Sequence, residues 1–185
     1  FCPMQTEGQK FLPMIKIKCG FTLIECLVTI VVLAILVAIA IPSFQRDLMK
    51  KEMEASKLKL QRALYLARQQ AMTQANHVVL CNRGQSMTCS TNAWSQGFMV
   101  FIDINKNRQR ESNETIILNE TLNLKYGQLS WASLNRDNLS FLPRTGLPLG
   151  SNGTFSYCAK DPQFSYSIVV SHMGHSRIDQ TQNCS

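Results

Sequence analysis

The stretch KCGFTLIECLVTIVVLAILVAIAIPSF, Lys18 to Phe44, decides how the rest of the chain is read, because it sets one carboxylate, Glu25, in an otherwise apolar run. From Phe21 to Ile41 the segment carries that single charge, and a helix of about 20 apolar residues crosses the ~30 Å hydrocarbon core of a bilayer. Residues 21–41 therefore read as one transmembrane helix. A charge in the hydrocarbon costs about 2.5–3.5 kcal/mol. Glu25, with no partner evident in its own helix, reads as a residue with a task.

On the N-terminal side, MIKIKCG, starting at Met14, is a short basic leader, and residues 1–20 read as a leader whose start codon is Met14. The apolar run lies after Gly20 rather than before a cleavage site, so it is expected to survive processing. Lys16 and Lys18 place the N-terminal flank in the cytoplasm and send the C-terminal bulk out of it. A lipoprotein signal ending at Cys26 is disfavoured by Glu25, since lipid-attachment sites take a small neutral residue there.

On the C-terminal side, Pro42 removes one helical hydrogen bond and is expected to kink the helix without ending it. Residues 42–75 are rich in helix formers. Met53, Leu60, Leu64, Ala67 and Ala71 form one apolar stripe, with Lys57, Lys59, Arg62, Arg68 and Gln69 off it. Residues 76–185 then carry seven short β-branched or aromatic runs, HVVLC, FMVFI, TIILNETLNL, QLSWASL, LSFL, TFSYC and YSIVVS, separated by Gly, Pro, Asn and Ser. The fold class is α+β, a long N-terminal helix whose second half packs on an antiparallel β-sheet head.

The chain has 185 residues and a formal net charge of +7, which permits contact with nucleic acid or an anionic membrane without proving either. Much of that charge flanks the apolar run. Cys81, Cys89, Cys158 and Cys184 lie in the head, and an exported head implies two disulfides. Three pairings are open; Cys81 with Cys89 and Cys158 with Cys184 are preferred because each closes a local loop.

No nucleophile elbow, phosphate-binding glycine loop or convergent catalytic set is present, so the chain is not expected to be an enzyme or to hold a cofactor. Asp103 to Glu114, DINKNRQRESNE, has the oxygen spacing of a calcium loop at Asp103, Asn105, Asn107 and Glu114. Arg108 stands at the sixth place, where the sharp turn takes Gly, and Arg110 adds a second cation, so the segment is read as a solvated hairpin loop. His172, His175 and Cys184 lack a fourth ligand for zinc. No metal is expected.

Gly20, Phe21, Thr22, Leu23, Ile24, Glu25 and the apolar run to Pro42 resemble the class III signal of type IV pilins and type II secretion pseudopilins. WSQGFMVFID, ETIIL, FLPRTG and VVSHMGHSR are similar to the heads of minor pilins and pseudopilins of the GspH, FimT and FimU type. The resemblance implies cleavage by a prepilin peptidase between Gly20 and Phe21 and methylation of the Phe21 amine. It also implies a single-pass inner-membrane subunit with a periplasmic head, assembling with other pilins or pseudopilins through Glu25, Phe21 and Pro42. In a filament the Glu25 carboxylate of one subunit would pair with the Phe21 amine of the next. Whether the filament is a pilus or a secretion pseudopilus stays open. Some FimT-type relatives bind double-stranded DNA through a Gly-Arg-x-Arg turn; the matching positions are Gly174, His175, Ser176 and Arg177, with His175 in place of one arginine. Arg144, Lys125 and Arg136 are candidate supplements.

Overall fold

The structure, a computed structural model, describes residues 22–84, 86–91, 94–134, 137–148, 150–179 and 184. The chain divides into two compact units, residues 1–42 and 43–185.

Helix α1 spans Leu23–Gln74 and includes Pro42 without interruption. Within it, every residue from Leu23 to Asp47 is exposed. The helix contains a window of mean hydropathy 3.0, none of it buried, long and apolar enough to cross a membrane. Farther on, Ser56, Leu60, Ala63, Leu64, Ala67 and Ala71 are buried. The stripe read from sequence is there, with Ser56 and Ala63 added and Met53 only partly buried against it.

Among the described residues eight strands follow: β1 His77–Asn82, β2 Gly97–Asp103, β3 Ile116–Thr121, β4 Gly127–Ser133, β5 Leu139–Phe141, β6 Gly153–Ala159, β7 Tyr166–Val170 and β8 Ser176–Asp179. All seven runs expected from sequence contain a strand. They form two four-stranded antiparallel sheets, ordered β3-β2-β1-β5 and β4-β6-β7-β8, a division on which the sequence reading of an antiparallel head was silent. Strand β8 was missed, because SRID is short, polar and exposed; it exists through its pairing with β7. One core joins the helix to both sheets. Leu60, Ala63, Leu64, Ala67 and Ala71 meet Val78, Leu80, Phe98, Val100, Phe155, Tyr157 and Ile168, all buried.

Polar contacts help fix the helix to the head. The Glu52 carboxylate accepts the N–H of Lys125 at 2.7 Å, the N–H of Tyr126 at 3.0 Å and the hydroxyl of Tyr157 at 2.8 Å. Ser56 Oγ lies 3.1 Å from the Tyr166 hydroxyl. The rings of Tyr157 and Tyr166 stack at 5.2 Å. At the outer side of β4, Ser95 Oγ accepts the N–H of Leu129 at 2.9 Å and donates to its carbonyl at 3.1 Å.

Disulfides join Cys81 to Cys89 and Cys158 to Cys184, with Cα–Cα distances of 5.6 and 5.7 Å. The segment between β2 and β3 is a hairpin loop exposed over most of its length, as read from sequence, with a buried carboxylate at each end. Asp103 and Glu114 are 2% and 3% exposed, and Arg108 adopts a left-handed conformation with φ of 62° although it is not glycine. The carboxylates at the two ends of the segment bind its backbone amides, and that holds the turn open to a larger residue.

Candidate functional site

Two places carry the residues singled out by sequence. The first is the start of α1. Glu25 is not without a partner in its own helix: Oε2 accepts from the Thr22 N–H and the Thr22 hydroxyl, each at 3.2 Å, and Thr22 Oγ1 accepts the Glu25 N–H at 3.3 Å. This reciprocal pair is a capping box, in which Thr22 and the acid three residues on satisfy the first amide donors of the helix. The pattern T-x-x-E was legible at residues 22–25, but the acid was read only for its charge. Helix capping occupies part of the carboxylate; each oxygen retains acceptor capacity for a cation. Gly20 and Phe21 lie outside the described residues. Pro42 is exposed within α1.

The second is the turn joining β7 to β8. Ser171 N–H donates to the His175 carbonyl at 2.9 Å, and Gly174 N–H donates to the Ser171 carbonyl at 2.9 Å. Gly174 takes φ of +73°, and a Cβ there would lie 3.0 Å from the Gly146 carbonyl oxygen. His172, His175 and Arg177 are all exposed. Arg177 does not offer a bare charge: its Nε donates to both carboxylate oxygens of Asp179 at 3.1 and 3.0 Å, and Nη2 lies 2.9 Å from Asp179 Oδ2.

Arg68 holds this turn in place, a role the sequence reading, which put Arg68 off the apolar stripe, did not foresee. Its Nη1 donates to the Gly174 carbonyl at 2.8 Å, and its Nε is buried without a hydrogen-bond partner among the described residues. The FLPRTG loop lands on the same place. Arg144 N–H donates to the Ala71 carbonyl at 3.0 Å, and a Cβ on Gly146 would lie 2.8 Å from Arg68 Cγ. Arg144 is exposed, with φ of 62°. The loop carrying Arg144 and the turn carrying His175 therefore converge on Arg68, beside a cleft of about 200 Å³ lined by Tyr65, Phe141 and His175.

Lys125 is not part of this surface. Its amide is held by Glu52, whereas Arg144 is held at Ala71, and 19 helical residues at 1.5 Å each put those anchors about 28 Å apart. Arg136 lies outside the described residues. Cys184 is in a disulfide, which removes it as a ligand beside the two histidines. Among the described residues no three His, Cys, Asp or Glu side chains converge on a metal point.

With this geometry in hand, comparison with known proteins gives consistent results. The family described as "Type II transport protein GspH" matches residues 58–174, and the prokaryotic N-terminal methylation motif matches residues 15–41. Two crystal structures of the Pseudomonas aeruginosa type IV minor pilin FimU are similar. One has 14% identity and a TM-score of 0.52 over 70% of this chain and 89% of that chain. The other has 13% identity and a TM-score of 0.52 over 68% and 91%. At such identity the likeness is one of fold. No curated protein matches the chain significantly.

Proposed function

The chain belongs to the type II transport protein GspH family of minor pilins and pseudopilins, structural subunits rather than enzymes, and from this membership we propose how it enters a filament. Family membership carries assembly with other pilins and processing by a prepilin peptidase. In the proposed scheme residues 1–20 are the leader, cut between Gly20 and Phe21, and the new Phe21 amine is methylated. Residues 21–41 cross the inner membrane once, residues 42–75 continue the helix, and residues 76–185 form a head in the periplasm. There the disulfides are chemically reasonable.

The observation that carries this reading is the wholly exposed apolar surface from Thr22 to Phe44, interrupted by one acid. Such a surface is unstable in water and requires lipid or neighbouring helices. Glu25 gives the assembly step its direction: leaving lipid for the filament lets its carboxylate meet the Phe21 amine of an adjacent subunit, so each charge offsets the desolvation of the other. The test is mass spectrometry of the chain from membranes of cells with and without the peptidase. With it, the mature chain should begin at methylated Phe21; a leader retained in its presence would overturn the scheme.

A second reading, contact between the Gly174–Arg177 turn and duplex DNA, draws support from the shared exposure of His172, His175 and Arg177. Asp179 opposes it by neutralising Arg177. If the turn grips phosphates, Asp179→Ala should raise the affinity of the full chain in detergent for duplex DNA about threefold to tenfold at fixed salt, and Arg177→Glu should abolish binding. A gel-shift insensitive to both substitutions would exclude the turn.

A further inference from the structure

The segment between β2 and β3 has features that neither filament assembly nor the basic turn uses. Asp103 Oδ2 accepts the N–H of Arg108 at 3.0 Å. Asn105 Oδ1 accepts the N–H of Asn107 at 3.1 Å, and Asn107 Oδ1 accepts the N–H of Gln109 at 2.8 Å. Glu114 closes the loop from its far end, Oε1 accepting the N–H of Ile104 at 2.9 Å and Oε2 that of Glu111 at 3.0 Å. Glu111 Oε1 takes the side-chain amides of Asn105 and Asn107 at 3.0 and 2.8 Å. The polar groups at the first, third, fifth, ninth and twelfth places thus all turn toward the loop's interior. Every oxygen among them has a second lone pair to give.

One oxygen has no hydrogen-bond donor among the described residues. Asp103 is 2% exposed, its carboxylate is turned to the loop by the Oδ2 bond, and its Oδ1 is buried without such a partner, with His77 opposite it on β1. A carboxylate oxygen withdrawn from water without a donor is costly unless a cation meets it.

We propose that this segment is a calcium site, with Asp103, Asn105, Asn107, Glu114 and the Gln109 carbonyl as ligands and Glu111 at the rim, the cation meeting Asp103 Oδ1. The donors are all hard oxygens, and their spacing, D-x-N-x-N-x-Q-x-E-x-x-E, is that of a twelve-residue calcium loop. The donors are oxygens without thiolate or imidazole, which suits calcium, a cation that accepts amide and backbone oxygens, better than zinc. Magnesium demands a stricter octahedron and retains its waters.

The objection from sequence was Arg108 at the place of the turn glycine, and the backbone answers it. Lys106 and Arg108 both take left-handed conformations, φ of 64° and 62°, so the chain makes the required turn despite its side chains. The cost is in affinity. Lys106, Arg108 and Arg110 formally cancel Asp103, Glu111 and Glu114, which places binding at the weak end, about 10⁻⁴–10⁻³ M, the range of extracellular modules. A head outside the cytoplasm meets calcium at such concentrations. The site is independent of how the filament assembles.

The test uses the full chain in detergent, stripped with EGTA and unfolded thermally in 5 mM calcium chloride, in 5 mM magnesium chloride and in EGTA. Calcium should raise the midpoint by about 3–6 °C and magnesium by less than about 1 °C. Asn107→Ala, which also removes the bonds from Gln109 N–H and to Glu111, should lower the EGTA midpoint and abolish the calcium shift measured from that lower baseline. Arg108→Gly should move the calcium titration to at least about tenfold lower concentration, a gain that a purely structural loop would not show. Absence of a calcium shift in both the unsubstituted chain and Arg108→Gly would overturn the proposal. So would an equal shift with magnesium, or a calcium shift unchanged by Asn107→Ala.

Discussion

Replacing Glu25 by alanine should leave a chain that is inserted and processed but nearly absent from filaments. Removing one partner of a desolvated ion pair strands the other, at a cost of about 3–5 kcal/mol, or roughly a hundredfold or more in the assembly equilibrium. The readout is the fraction of the full-length chain recovered with sheared filaments, by immunoblot. Thr22→Ala supplies the control that the capping box demands. It removes the partner Glu25 has in its own helix, costs about 1 kcal/mol in helix initiation and leaves the charge. Incorporation should then fall by no more than about fivefold. If Thr22→Ala is as damaging as Glu25→Ala, the acid acts by capping; if both variants assemble normally, the intersubunit pair is wrong.

The second large effect is expected at Glu52. Its carboxylate receives two backbone amides and a phenol, and hydrogen bonds to a charged group are worth about 1.5–3 kcal/mol each when buried. Glu52 is partly exposed, so Glu52→Ala should destabilise the head by about 3–4 kcal/mol and lower the thermal midpoint by roughly 8–15 °C. A fall of under 2 °C would show that the hydrophobic core alone holds the helix. The tyrosines at this place add a dependence on pH. Burial first, and then the bond to Glu52, pushes the Tyr157 phenol far above its ordinary value of 10, and burial pushes Tyr166 up to about 12. Above pH 10 the unfolded chain gives up protons that the native state keeps, so stability should be unaffected by this pair below about pH 9 and fall between pH 10 and 12. A midpoint that stays level across that alkaline range would contradict the assignment.

Much of this could be read from residues before any coordinates. The apolar run and the leader are local signals of length and charge, and they located α1. The β-branched runs located seven strands, because a half-buried pleat selects such side chains. What stayed hidden is non-local. The division into two sheets depends on β1 lying between β2 and β5, which no periodicity records. Arg68 lay off the apolar stripe by spacing, and its role appears only when Gly174, 106 positions later, folds onto it. Asp179 was legible two residues from Arg177, but the pairing required knowing that both belong to one strand. The left-handed backbone at Arg108 could not be read from its residue type, because that conformation is ordinarily taken by glycine.

Ser95 touches Leu129 as a neighbouring strand would, donating once and accepting once. Strand β4 borders its sheet with seven residues, none charged and none proline, so it lacks the usual defences of an edge against pairing with foreign chains. A single hydroxyl blunts that edge at its buried leucine. In a compartment crowded with extended polypeptides, this plug helps keep the head a discrete building block instead of a template for aggregation.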